Sequence, residues 1–474
     1  MSIFNKTQFP KIGSSTFNLS HEKKFSMSMG DLVPMLVQEC VPGDKFRINT
    51  QQMLRLMPML SPVMHEVNVF CHYFFVPNRI LFKDWEKFIT GGEDGLATIL
   101  PPTINLNTTA IENNAGNYDF RLSDYLGLPV NPIYNDPNVV PQVQVSLLPH
   151  LAYQKIWNEY YRDQNLIPSI DPLLETVKQG INDQFEYTDI FKLQKRAWQH
   201  DYFTSALPFA QKGAPVRLPL GTTAPIRYKV DETEPHQTLL RGSNPPHNPL
   251  PNRTNLHTTP LGQLETETSG SGNLASIDNS DALEADLSEA TSATINDLRR
   301  AFSLQSWLEK NARAGSRYVE SILSHFGVRS SDARLQRPEY IGGGMSPVMI
   351  SEVLQTSETA ESPQGNMAGK GLNLGNNGGI SKYCEEHGYI IGIVSVMPKT
   401  AYQQGIPRHF SKFDKFDYFW PDFEHIGEQA ILNKEIFVNY DDTALLEQTF
   451  GYIPRYSEYK FNPSTVSGYM KTSL

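Results

Sequence analysis

From Val63 to Val76 the chain reads VMHEVNVFCHYFFV, and this stretch constrains the fold before anything else does. Two-residue alternation puts Val67, Val69, Cys71, Tyr73 and Phe75 on one face of a strand and Phe70 and Phe74 on the other. A strand apolar on both faces needs packed layers on both sides, as in the centre of a sandwich, and Pro77-Asn78 ends it with turn chemistry. Similar runs occur at Lys45 to Ile48, Gln142 to Leu147, Pro225 to Val230, Gly388 to Val396 and Glu435 to Tyr440. The 32 glycines and 33 prolines are spread among many Asn and Thr, which favours short strands and loops over long helices. The expected fold is mainly β. At 474 residues the chain holds two or three domains, or one domain with large insertions.

Two segments have helical spacing: His150 to Tyr161, rich in aromatics, and Asp297 to Phe326, with Phe302, Leu304, Trp307, Leu308, Tyr318, Ile322 and Leu323 apolar and an interruption at Gly315. The connections are far longer than the usual ~4–6 residues, and loops of that length need a partner surface to order them. Composition shifts most clearly between Asp231 and Asp297. From Thr254 to Leu298 there is no Lys or Arg, while Glu265, Glu267, Asp278, Asp281, Glu284, Asp286, Glu289 and Asp297 are acidic. Such a segment buries little apolar area alone. It reads either as a linker or as a surface insertion ordered by contact with copies of itself. Pro363 to Gly379, rich in Gly and Asn, reads as a solvated loop, and no internal repeat is visible.

The formal net charge of −10 opposes tight polyanion binding by the whole surface, so any nucleic-acid contact must be local or helped by a basic partner. Cys40, Cys71 and Cys384 are too widely separated for a disulfide framework or a CxxC metal site, which fits a reducing birthplace. The longest apolar run, Tyr389 to Met397, is far short of the roughly 20 residues that span a bilayer. Met1 to Phe9 lacks the apolar core of a signal peptide, so neither secretion by that route nor membrane insertion is expected.

Catalytic patterns fail on spacing. Gly365 to Gly371 has one residue too few for a phosphate loop and lacks its Ser or Thr. Gly342-Gly343-Gly344-Met345-Ser346 is not a nucleophile elbow and reads as a flexible turn. Neither HExxH nor HxH occurs, and His72 is placed as a core histidine with a satisfied hydrogen bond. Cys384 and His387 have no visible third group to orient them. No cofactor is called for. Glu385-Glu386 and Asp441-Asp442 offer oxygens of the kind calcium takes, but without EF-hand spacing they indicate no site.

Basic and aromatic residues interleave at Asn5 to Lys24 and at Arg408 to Phe416, a pattern suited to single-stranded nucleic acid. The simpler reading of the second is an ordinary strand with Phe410, Phe413 and Phe416 on its apolar face. The better candidate is therefore the partly basic arm 1–24, with Lys6, Lys11, Lys23 and Lys24 on or near an inner surface.

Several longer phrases carry a resemblance. They are NLSHEKKFSMS from Asn18, FCHYFFVPNR from Phe70, WNEYYRDQN from Trp157, GSRYVE from Gly315, RLQRPEY from Arg334 and GYIPRY from Gly451. In these the chain resembles the major capsid proteins of the microviruses, specifically the gokushovirus branch. The resemblance implies one eight-stranded antiparallel jelly roll over residues 1–474, with long inter-strand insertions and a few helices. It further implies sixty copies in a T=1 shell around circular single-stranded DNA, and a small basic DNA-binding peptide inside. A threefold protrusion at 231–297 would serve attachment to a host cell-surface receptor, with Glu265, Glu267, Asp278 and Asp281 as its candidate residues. Two other classes compete. A carbohydrate-binding or glycan-hydrolysing β-sandwich would need convergent carboxylates in a concave site. A single-stranded DNA-binding protein is opposed by the acidic balance.

Overall fold

The structure, a computed structural model, describes residues 13–59, 63–92, 96–105, 122–129, 144–171, 190–214, 216, 295–314, 317–354, 367–424, 426–438 and 441–471, with six three-residue strands between 226 and 285. Three strands come early: β1 (Val33–Cys40), β2 (Lys45–Arg55) and β3 (Val67–Pro77). Helix α1 (Leu148–Ile156) follows and continues as a π-helical turn, Trp157–Tyr161. Then come α2 (Ile295–Ala314), α3 (Tyr318–Phe326), β4 (Glu339–Pro347), β5 (Met349–Leu354), β6 (Met367–Tyr383) and β7 (Gly388–Pro398). A hairpin-like pair closes the chain, β8 (Glu428–Leu432) and β9 (Thr449–Pro454).

The larger strands form two antiparallel sheets, one in the order β1-β7-β3-β4 and one in the order β5-β6-β2. Strand β3 is interior to its sheet, and its two faces lie in two different cores. Val67, Val69, Cys71 and Tyr73 pack with Ile380, Val394 and Val396, against Ile48, Leu54 and Ile350 of the second sheet. Phe74 and Val76 face the other way, onto Leu148, Leu151, Ala152 and Ile156 of α1. That is the layering which a strand apolar on both faces requires, each fully buried large side chain stabilising the fold by about 1.5–3 kcal/mol. Helix α1 follows from the spacing of those apolar residues, and Tyr153 fixes it by donating to Leu32 O at 2.8 Å and accepting from Gln194 N at 3.0 Å. The expectation of a mainly β, antiparallel architecture with few helices holds.

Between the sheets runs a buried polar network. Gln52 Nε2 donates to Ser346 Oγ at 2.8 Å and to Asn373 Oδ1 at 3.1 Å, while Cys71 Sγ donates to Gln52 Oε1 at 2.6 Å. Asn373 Nδ2 donates to Pro347 O at 2.6 Å. Tyr73 OH donates to Thr50 Oγ1. These partners sit on both sheets, and any slip in register would part them in a partly buried seam.

Four local expectations are corrected. Gly342 to Ser346 is no turn but part of β4, paired with β3. A Cβ on Gly343 would stand 2.5 Å from Cys71 O, so the close approach explains the glycine. The Gly/Asn-rich run is no loop from Met367 onward but the 17-residue β6, hydrogen-bonded on both edges; ladder pairing overrides its weak strand propensity. Pro363 to Asn366 lies outside the described residues. Glu435 to Val438 is not a strand: Asn433–Ile436 makes a helical turn, held because Glu435 Oε1 accepts from Leu432 N at 3.1 Å, and Asn439 and Tyr440 lie outside the described residues. Arg408 to Phe416 is not a strand either, but two short 3-10 turns.

The chain divides into two compact units, residues 1–212 with 310–474 and residues 213–309. In the second, three strand pairs nest: Leu256–Thr258 with Leu264–Thr266, Leu240–Gly242 with Ala275–Ile277, and Ile226–Tyr228 with Leu283–Ala285. Each pair encloses the previous one in sequence.

Candidate assembly surfaces

Titratable groups around the cavity of the body are held by structural contacts. A cavity of about 800 Å³ is lined by His72, Tyr161, Arg162, Trp198, Arg317 and Glu320, among others. His72 Nδ1 is 2.8 Å from Tyr161 OH, and burial, with Arg196 nearby, brings its pKa down to about 4. The ring is therefore neutral near pH 7, the satisfied core histidine that the sequence suggested. The two lining carboxylates are also engaged. Asp163 Oδ1 accepts from Asn165 N at 2.9 Å, and Glu320 pairs with Arg317 at 3.1 Å and accepts from Gln164 at 2.7 Å.

Cys40 and Cys384 are buried in one small apolar cluster, where burial pushes both thiols up, away from a reactive thiolate. The His387 ring packs 5.8 Å from Trp85. Among the described residues no group of three or more His, Cys, Asp or Glu side chains could hold a metal ion, and no helix is long and apolar enough to cross a membrane.

The feature most in need of a partner lies near the C-terminal end. Residues 408–423 run as three 3-10 turns, Arg408–Ser411, Lys415–Asp417 and Pro421–Phe423, broken by Pro and Asp. Two of their cations turn toward the protein, while Lys415 is exposed, 4.9 Å over the Phe416 ring. Arg408 Nη1 donates to Ala430 O at 2.8 Å and pairs with the buried Glu435 at 3.2 Å. Lys412 pairs with Glu458 at 3.3 Å and lies 4.2 Å over the Tyr459 ring. Phe419 rests on Tyr456, with ring centres 4.9 Å apart, and Trp420 Nε1 donates to Lys415 O at 2.8 Å. The rings turn outward: Phe413 is 88% and Phe410 67% exposed, and Phe416, Tyr418, Phe419 and Trp420 are exposed with them. Exposed apolar groups concentrated in this way mark a protein contact. Because Arg408 and Lys412 are paired with glutamates and Lys415 alone of the segment's Lys and Arg is exposed, this surface is a poor nucleic-acid site. The sequence flagged the aromatics of Arg408 to Phe416 but not their outward direction.

Of the arm lysines, Lys6 and Lys11 lie outside the described residues. Lys23 is engaged internally, donating to Pro34 O at 2.7 Å and to Tyr125 O, and burial lowers its pKa. Lys24 is exposed beside Glu22 at 3.4 Å. Residues 17 to 20 are exposed, including Phe17 and Leu19. In the 213–309 unit, Glu265 sits on a nested strand, while Glu267, Asp278 and Asp281 lie outside the described residues.

The profile of a family described as "Capsid protein (F protein)" matches residues 6–474. The chain is 38% identical to capsid protein VP1 of Bdellovibrio phage phiMH2K, over 100% of this chain and 86% of that one. It is 35% identical to capsid protein VP1 of Chlamydia phage 1, over 99% and 86%. With capsid protein VP1 of Spiroplasma virus 4 it shares 34% identity, over 100% and 84%.

Proposed function

The chain belongs to the capsid protein (F protein) family of phages, and from that premise we propose that sixty copies close into a T=1 shell around circular single-stranded DNA. As a capsid protein it is a structural component of the virion and not an enzyme. The observation that carries the assembly reading is the outward set of rings between Phe410 and Trp420, held in place from below by Arg408, Lys412 and Tyr456. A neighbouring copy that covers them removes the apolar area from water, and closed symmetry repeats the contact at every equivalent position. Modest pairwise affinity then suffices for a stable shell.

The nested strand pairs support the reading of 231–297 as a surface insertion, because a ribbon that goes out and returns along itself can lengthen without disturbing a core. We assign it to a threefold protrusion that meets a host cell-surface receptor, with Glu265, Glu267, Asp278 and Asp281 as candidate contacts. An acidic coat cannot neutralise a genome alone, so a small basic DNA-binding peptide is the expected internal partner, and Lys6, Lys11 and Lys24, but not the internally held Lys23, are the expected inner contacts of the arm. Sedimentation of the purified chain, with its partners supplied, tests the reading: closed particles support it, and a monomer at every concentration and salt refutes it.

A further inference from the structure

The sheet β5-β6-β2 buries one face against β3 and leaves the other open. Alternation sends Phe46, Ile48, Thr50, Gln52 and Leu54 inward, and Lys45, Arg47, Asn49, Gln51, Met53 and Arg55 outward. The register continues this outer face across β6: Tyr383 stands opposite Lys45, Ser381 opposite Arg47, Asn376 opposite Gln51 and Leu374 opposite Met53. Lys370 stands opposite Ser351 on the far strand. These outer residues are exposed.

Their charge runs against that of the chain. Acidic residues outnumber Lys and Arg 51 to 41 overall, yet β2 and β6 contain no Asp or Glu at all. Lys45, Arg47, Arg55 and Lys370 face out, while Lys382 faces inward and pairs with Glu339. The one carboxylate of the sheet, Glu352, is solvent-exposed but alternates onto the side of β5 that carries Ile350, opposite to the side of Lys370.

We propose that this open face binds the backbone and bases of single-stranded DNA. The inference rests on the genome-enclosing reading above and names a surface for it. Cations two positions apart on a strand, such as Lys45 and Arg47, are about 7 Å apart and can follow successive phosphates. The amides of Gln51 and Asn376 lie among them and offer both donors and acceptors to base edges, and Asn49, whose Oδ1 accepts from Gly379 N at 2.8 Å, offers its NH2. Tyr383, 55% exposed beside Lys45, offers a ring for stacking. Charge complementarity decides the occupant: a second copy of this acidic chain would have to bury four cations beside Met53 and Leu374, whereas a single strand brings one phosphate per nucleotide.

The test is fluorescence anisotropy of a labelled 20-nucleotide thymidine strand with the purified full chain, across a salt series. Each phosphate contact adds about 0.7 to the slope of log affinity against log salt. The combined Lys45→Gln, Arg47→Gln, Arg55→Gln, Lys370→Gln variant is expected to lower that slope by about 2 to 3. Tyr383→Ala is expected to keep the slope and weaken binding about fivefold or more. A control, Lys399→Gln with Lys434→Gln, removes cations paired elsewhere with Glu66 and Glu447 and is expected to change neither. In parallel, ultraviolet cross-linking inside intact particles is expected to attach nucleotide to the peptide containing Tyr383, a readout that no variant's folding can disturb. A fourfold variant with the original slope, or cross-links confined to other peptides, overturns the inference while leaving the shell intact. A fourfold variant that binds DNA normally but forms no particles also overturns it, making the face a contact between copies. Failure of the unsubstituted chain to form particles would instead strike the enclosure reading itself.

Discussion

Gly375 lies directly over Gln52: a Cβ placed on the glycine would stand 2.5 Å from Gln52 Nε2 and 2.7 Å from Ser346 Oγ. The Gln52 amide is not free to swing aside, because the same side chain joins Ser346, Asn373 and Cys71. Gly375→Val should therefore overpack the space between the sheets and break that network, costing about 1–3 kcal/mol. Urea unfolding of the isolated chain reads the effect as a lower midpoint. An unchanged midpoint would mean that the two sheets are not packed as described.

The buried imidazoles make the fold acid-sensitive. Burial holds His72 and His150 to a pKa of about 4, against roughly 6.5 in an unfolded chain. Between those values the unfolded state binds more protons, so their contribution is present above about pH 6.5 and is lost as pH falls toward 4. Each accounts for up to roughly 3 kcal/mol. Thermal midpoints should fall steadily over that window, and His72→Gln should flatten the fall by about half. A midpoint that is constant from pH 6.5 to 4.5 would contradict the burial of both rings.

The rings near the C-terminal end should matter for association and not for folding. Phe410→Ser with Phe413→Ser removes exposed apolar area that makes no core, so circular dichroism and the unfolding midpoint should be unchanged. A contact centred on such rings loses about 2 kcal/mol or more per pair of copies, roughly a thirtyfold weakening, and particle yield should collapse. Normal yield would place the contact elsewhere.

The nested ribbon should be separable. Replacing residues 256–266, the innermost strand pair, with a short Gly-Ser turn is expected to leave the β3-centred sheets folded and particles formed, while host adsorption is lost. Insoluble protein after this replacement would show that the ribbon supports the fold and is not an insertion.

Much of this architecture was legible from a few residues. The two-faced pattern of Val67 to Phe75 placed a central strand between layers, and the aromatic spacing of His150 to Tyr161 pointed to the helix that covers it, which starts two residues earlier at Leu148. What escaped reading depended on neighbours distant in sequence. Strand β6 looks like a loop by composition, since its glycines make sense only beside Leu56, Gln52 and Ser346. Glu435 looked like part of a strand because its partners Arg408 and Tyr202 are far away in the chain. The same limit applied to the surfaces. Lys23 reads as an available cation until Pro34 and Tyr125 are seen to hold it. The outward cations of β2 are an ordinary alternating pattern until β6 lines up beside them without a carboxylate.

Copies of this chain are expected to close on one another through surfaces that a lone copy leaves wet. Electron microscopy of the purified chain, assembled with single-stranded DNA and a basic peptide, tests this most directly. The expected images show uniform closed particles that average to sixty subunits under icosahedral symmetry, with the rings from Phe410 to Trp420 covered by a neighbour. Isolated subunits under all conditions, or closed particles in which those rings stay exposed to solvent, would contradict it.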